Sequence, residues 1–263
     1  MNDAEFIEIS EFIYTLADIS KKLTLEGFYS NLHPEIKVDG SPVTQFDINA
    51  EKIICNLIST KFPSHNILAE EVSSKQLGSD YTWIVDPIDG TRSYIIGRPL
   101  WGTLIGLAYK GKPLIGLVDF PALNERWLGY KSNCYYNKSK FISKRKLVNE
   151  ISEATVGSTD PNFFSIEGKR KYENIIEKTK SNIWSGDCHN YCLIITGGLD
   201  LVVEEGLSAY DILPLVPILE SQGIIVTDWN SDKLILKEDT QYKYSTVVSR
   251  NNNIYHSAIT LLK

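Results

Sequence analysis

The run Trp83-Ile84-Val85-Asp86-Pro87-Ile88-Asp89-Gly90-Thr91 constrains this chain more than any other feature. With Tyr81 and Thr82 its first residues form a buried-strand pattern, which is expected to stop at Asp86-Pro87. Pro87 fixes φ and removes a donor, so the chain should turn at once. Gly90 permits close backbone approach, and the Gly90 and Thr91 N–H groups can face an anion. A sheet end that offers two carboxylates, a turn and free amides is a cradle for hard cations and a phosphate. Asp-Pro and Asp-Gly pairs are also ordinary loop formers, so the two aspartates and the glycine do not decide the matter alone.

Further carboxylates accompany the run. Glu70-Glu71 closes the short strand pattern Asn66-Ile67-Leu68-Ala69, Asp47 follows Val43-Thr44, and Asp211 opens a helical stretch. Gathered at one point, these groups would repel strongly unless cations neutralised them. Other chemistries lack their signatures: no G-x-x-x-x-G-K-[ST] loop, G-x-G-x-x-G turn, G-x-S-x-G elbow or H-E-x-x-H helix is present. His33, His65, His189 and His256 stand in no triad-like context, so the chemistry is expected to run on carboxylates.

With 33 acidic and 27 basic residues the chain carries a net charge of −6, which argues against a nucleic-acid partner. No uncharged apolar run approaches the roughly 18 residues of a membrane span. The acidic start, Met-Asn-Asp-Ala-Glu, does not read as a signal or transit peptide. Cys55, Cys134, Cys188 and Cys192 form neither a disulfide framework nor a zinc spacing, so reduced thiols in a cytoplasm are expected. Cys188 and Cys192, four apart, read as core residues of one helix.

Apolar spacing predicts helices over 4–30 and 45–61. Runs at 81–85, 100–109, 114–120 and 126–130, separated by tight turns, predict an antiparallel meander. The polar, lysine-rich stretch 131–150 suggests a boundary near 143, with an N-terminal domain over 1–143 and a C-terminal one over 144–263. Beyond it, strands at 155–158, 201–204 and 224–227 alternate with helices at 163–180 and 211–222, an α/β layer.

The motifs together resemble the inositol monophosphatase family of metal-dependent, lithium-sensitive phosphatases. Trp83 to Thr91 matches its first motif, Glu70-Glu71 its acidic pair, Lys37 to Asp47 its early segment, and Tyr210-Asp211 its second signature. The family usually has Trp where Tyr210 stands and Gly-Gly where Gly223 is followed by Ile224; both departures touch packing rather than ligands. The resemblance implies an α+β fold, a layered α-β-α-β-α sandwich. It implies a first Mg²⁺ on Glu70, Asp86 and the Ile88 carbonyl, and a second on Asp86, Asp89 and Asp211. A third, looser ion would be held through water by Glu70. Asp47 and Thr91 would orient the attacking water, and the Gly90 and Thr91 amides would hold the phosphate. A homodimer is implied as well.

Trp184 to Tyr191, Leu201 to Glu204 and Gly97 to Leu104 look more like the histidinol-phosphate phosphatase branch. Histidinol phosphate carries an ammonium and an imidazole, which carboxylates at Asp187 and Glu204 would suit. Alternatively, Asp187 caps a helix that begins near Cys188. Inositol monophosphate is the second expectation, and a sugar or nucleotide phosphate the third. An inactive metal-binding or regulatory homologue is disfavoured by the complete set Asp47, Glu70, Asp86, Asp89, Thr91 and Asp211. A haloacid-dehalogenase-type enzyme is disfavoured by the spacing and position of the aspartates.

Overall fold

The computed structural model describes residues 3–38, 40–143 and 147–263. Helix α1 (Asp3–Phe28) leads through a short hairpin, β1 (Glu35–Ile36) and β2 (Pro42–Val43), into α2 (Gln45–Lys61). Thr44 caps α2 and Asp47 completes a capping box, so the residues that start this helix also carry one of the candidate carboxylates. Strand β3 (Asn66–Ala69) runs parallel to β4 (Tyr81–Asp89), and the single turn α3 (Thr91–Ile95) follows. The expected meander then appears: β5 (Gly102–Tyr109), β6 (Lys112–Phe120), β7 (Glu125–Tyr130), β8 (Asn133–Tyr136) and β9 (Ser139–Lys140) complete a seven-stranded sheet in the order β3-β4-β5-β6-β7-β8-β9. The stretch read as polar linker therefore contributes two strands before residue 143.

The second half begins with β10 (Thr155–Ser158), a 3₁₀ turn at Pro161–Phe163, α4 (Ile166–Lys178), β11 (Ser181–Trp184) and α5 (Cys188–Thr196). It continues through β12 (Leu201–Leu207), α6 (Ala209–Ile212), α7 (Val216–Glu220), β13 (Ile225–Thr227), β14 (Tyr244–Ser249) and α8 (Asn252–Leu262). Its five strands lie in the order β11-β10-β12-β14-β13, with β10 parallel to β11 and β12, and β14 antiparallel to β12 and β13. Strands β11 and β14 and helix α8 were not read from the sequence.

Helices α1 and α2 cover one face of the larger sheet, α5, α6 and α7 fill the space between the sheets, and α4 and α8 cover the outside of the smaller one. Each interface has its own apolar core, with Trp83 and Ile105 in the first, Trp127, Ile195 and Leu219 in the middle one, and Tyr172 and Val247 in the last. The arrangement is the expected five-layered α-β-α-β-α sandwich.

Two expectations are corrected where they matter most. The strand from Tyr81 does not stop at Asp86-Pro87; it runs to Asp89 through a bulge, Asp86 pairing with Leu104 and Asp89 with Gly102. Pro87 removes one ladder donor, and its carbonyl accepts from the Thr103 hydroxyl at 2.7 Å, so the pairing survives on other bonds. Nor is 211–222 one helix: the helical turn from Ala209 ends at Ile212, and a second begins at Val216. The intervening Pro214 lies against the cross-strand glycines Gly106 and Gly116, and Pro217 and Ile218 lie against Gly129, all places where a Cβ would crowd its neighbours.

Candidate active site

In a regular strand, residues three apart face opposite ways. The extra residue of the β4 bulge restores the parity of Asp86 and Asp89, and both turn to the same side. Asp211 meets them from α6, held by the Ser208 N–H at 2.7 Å from its Oδ2. Ligand oxygens of these three aspartates lie within 4.8 Å of one another. Asp86 is 1% exposed. Burial, then the neighbouring Glu70, Asp89 and Asp211 carboxylates, hold its pKa well above the usual range. Burial and the Asp187 and Asp211 charges do the same to Asp89, and burial and Glu70 push Asp211 up to about 7.

Glu70, at the end of β3, faces the same cavity, a space of about 370 Å³ that also meets Asp89, Thr91, Asp187, Glu204 and Asp211. The Lys37 ammonium bridges Glu70 Oε1 at 3.0 Å and Glu71 Oε1 at 2.9 Å. Burial opposes its charge, but the two carboxylates outweigh that and hold its pKa above the usual lysine range. Asp47 sits behind the wall, its Oδ2 accepting from the Thr44 N–H at 2.9 Å and from the Thr44 hydroxyl. Its Oδ1 is 3.4 Å from the Thr91 hydroxyl, which lies closer, at 3.0 Å, to the Ile88 carbonyl. Burial pushes Asp47 up to about 6.

Gly90 precedes α3 with φ +84°, a left-handed conformation, and a Cβ there would lie 2.9 Å from Asp187 Oδ2. Asp187 thus stands directly over the Gly90–Thr91 turn. It precedes α5, yet its carboxylate makes no cap; its Oδ2 accepts from the Ser93 hydroxyl at 3.2 Å. The cap comes from another strand, as Asp89 Oδ2 accepts the Cys188 N–H at 2.7 Å. Glu204 commits both oxygens, one to the Thr159 N–H at 2.5 Å and one to the Ser158 hydroxyl at 3.2 Å. Burial pushes it up to about 8. Cys188 and Cys192 are buried in the middle core. Lys37, Ser93 and Glu205 lie at or beside this cavity and Glu51 behind it, and none of them was read from the sequence as a site residue. Lys37 stood only as the first residue of the early matching segment, and Glu51 only as an acidic residue of the helix start.

Carboxylates that are buried and this close together suit a hard divalent ion better than they suit one another. The model of the inositol monophosphatase family matches residues 7–260. The chain belongs to that family. Bifunctional phosphatase IMPL2, chloroplastic, of Arabidopsis thaliana is 35% identical over 268 residues, covering 100% of this chain and 77% of that protein. A histidinol-phosphatase of Chlorobaculum parvum is 31% identical, covering 90% and 92%. The structure of an inositol monophosphatase from Zymomonas mobilis superposes with a TM-score of 0.87 at 30% identity, covering 100% and 99%. As a member of this metal-dependent family, the chain is a phosphoric monoester hydrolase. No helix among the described residues is long and apolar enough to cross a membrane.

The raised carboxylates make a pH-dependent stability the expected result. Burial and the neighbouring carboxylates raise Asp86, Asp89 and Asp211 in the native state, so the native protein binds protons where the unfolded chain, above about pH 4, has released them. Stability of chelator-treated protein should therefore fall as pH rises from about 4 through about 7. A saturating divalent cation should remove most of that slope. Thermal melts at pH 5 and pH 8, with chelator and with Mg²⁺, check this; parallel slopes in both series would contradict it.

Proposed function

We propose that the chain is a histidinol-phosphate phosphatase that uses Mg²⁺, acting in the cytoplasm as a homodimer. The observation that carries the substrate is Asp187, whose carboxylate stands over the Gly90–Thr91 turn, faces the cavity and, among the described residues, accepts one side-chain hydrogen bond, with the Arg92 and Arg98 charges near it. A charge-assisted bond from an ammonium or imidazolium would use that acceptor capacity. Inositol offers only hydroxyls, which neutral groups serve equally well. The histidinol-phosphatase relative, matched along nearly its whole length, supports this reading. The likeness to an inositol monophosphatase structure keeps inositol monophosphate as the second reading.

Glu70, Asp86 and the Ile88 carbonyl would hold one Mg²⁺, and Asp86, Asp89 and Asp211 a second, with a looser third near Glu70. Bound there, the ions supply Lewis-acid polarisation of the phosphoryl oxygens and an acidified water. The chain's own part is positioning. Asp47 and Thr91 take a proton from the water and orient it, and the Gly90 and Thr91 amides hold the phosphate. Asp187 reads the cationic end, while Glu204, expected from the sequence to share that task, has both oxygens taken by Thr159 and Ser158 and supports the wall behind it. The exposed edge strand β11, with Ile183 48% and Trp184 50% exposed, supports a second copy packing there.

Asp187→Asn tests the substrate. Loss of one partner of a charge-assisted bond costs on the order of 1.5–3 kcal/mol, or roughly ten- to a hundred-fold in kcat/KM. That loss is expected on histidinol phosphate and not on a small aryl phosphate, which shares the metal centre but lacks the amine. Equal losses on both substrates would make Asp187 a support for the phosphate turn. No loss on either would move inositol monophosphate ahead.

A further inference from the structure

Helix α2 buries two carboxylates one turn apart on the same face, Asp47 and Glu51. Asp47 belongs to the site. Glu51 is 0% exposed and meets no cation among the described residues, a costly arrangement unless its oxygens are fully hydrogen-bonded. Three successive backbone amides converge on it. Glu70 N–H donates to Oε1 at 2.7 Å, and Glu71 and Val72 N–H donate to Oε2 at 2.7 and 2.5 Å. Three N–H groups gathered on one anion make a nest, filled here by a side chain of the same molecule.

The segment so held has no regular structure of its own. Strand β3 ends at Ala69, and the next backbone pairing is the bridge between Ile67 and Lys75. Within that loop, the N–H of Glu70 is itself one of the three bonded donors, so the Glu51 carboxylate fixes the backbone from which the Glu70 side chain leaves. On the far side of the turn, Lys37 draws Glu71 and Glu70 together. Were Glu51 lost, three donors would lack an acceptor and the turn would lose its anchor to α2.

We infer that Glu51 is a positioning residue for the phosphatase reaction: through the amides of Glu70, Glu71 and Val72 it aims the Glu70 carboxylate at the metal-binding cavity. The inference rests on the reading of Glu70 as a Mg²⁺ ligand. It also gives α2 a double role, since one helix face sets both the Asp47–Thr91 pair and the Glu70 turn.

Glu51→Gln keeps the volume and one acceptor but presents an amide NH₂ to amide donors. The experiment measures Mg²⁺ binding by calorimetry, with turnover alongside, in wild type, Glu51→Gln, Glu70→Gln and the double variant. A group that orients a metal ligand is worth roughly ten- to a hundred-fold in metal affinity or activity. Glu51→Gln is therefore expected to weaken binding of one ion by that factor. In the Glu70→Gln background it should add less than about threefold, because the residue it acts through is gone. The same fold-loss in both backgrounds, as a general structural role would give, overturns the inference. So does wild-type Mg²⁺ affinity in Glu51→Gln beside a Glu70→Gln protein that has lost an ion. Wild-type affinity in Glu70→Gln instead overturns the ligand assignment, and with it the route through Glu70. If Glu51→Gln does not fold, Glu51→Asp is read in the same cycle. It keeps the charge and shortens the reach by one methylene, and the same outcomes decide.

Discussion

Asp89→Asn is expected to fold normally and to lose nearly all turnover at any Mg²⁺ concentration. Asn keeps the volume, and its carbonyl oxygen can still accept the Cys188 N–H that Asp89 Oδ2 holds at 2.7 Å, so the start of α5 stays capped. What goes is the charge that, with Asp86 and Asp211, would hold the second ion. A metal ion supplies several kcal/mol of transition-state stabilisation, so a loss of about three decades or more is expected. The chelator-treated variant should also be more stable than the chelator-treated wild type, because one of three mutually repelling carboxylates is gone. Steady-state kinetics across a Mg²⁺ series and thermal melts of both proteins check the two halves. A folded variant with near wild-type turnover would remove Asp89 from the metal centre.

Thr91→Val has the second largest expected effect, and it separates positioning from metal binding. Valine is nearly isosteric with threonine but has no hydroxyl. The hydroxyl lost is the one that lies 3.0 Å from the Ile88 carbonyl and 3.4 Å from Asp47. With an Mg²⁺ on that carbonyl, the hydroxyl would be left to Asp47 and the attacking water. A positioned proton-transfer group is worth roughly 10²–10⁴ in rate, and that is the expected loss in kcat. Mg²⁺ affinity measured by calorimetry should change little. Loss of Mg²⁺ binding together with activity would make Thr91 a support of the metal site rather than a holder of water.

The two predictions depend on features that differ in how visible they are in the sequence. Helix α2 was legible to its last residue because Thr44 and Asp47 mark its start and Pro63 follows its end. Strand β10 was read with the same bounds, Thr155–Ser158. The bulge in β4 was not, because it exists only in register with β5, and a strand's partner is not written in its own residues. The break at Pro214 has a local cause, since proline brings no N–H to a helical ladder, and the chain there packs closely on Gly106 and Gly116 of two neighbouring strands. Asp86 and Asp211 are far apart in sequence, and their meeting was expected only through the family resemblance. Glu51 reads in the sequence only as an acidic residue in the first turns of a helix, a mark of the helix start. Its burial becomes visible only once the amides of residues 70–72 are in place.

The most direct test of the account is phosphate release by the chelator-treated enzyme from histidinol phosphate and from inositol 1-phosphate, each before and after Mg²⁺ is restored. No turnover is expected without the ion. With it, kcat/KM should be at least about tenfold higher on histidinol phosphate, the scale of one charge-assisted bond to the cationic end. Undiminished turnover in chelator would contradict the metal centre, and equal or faster turnover of inositol 1-phosphate would contradict the substrate.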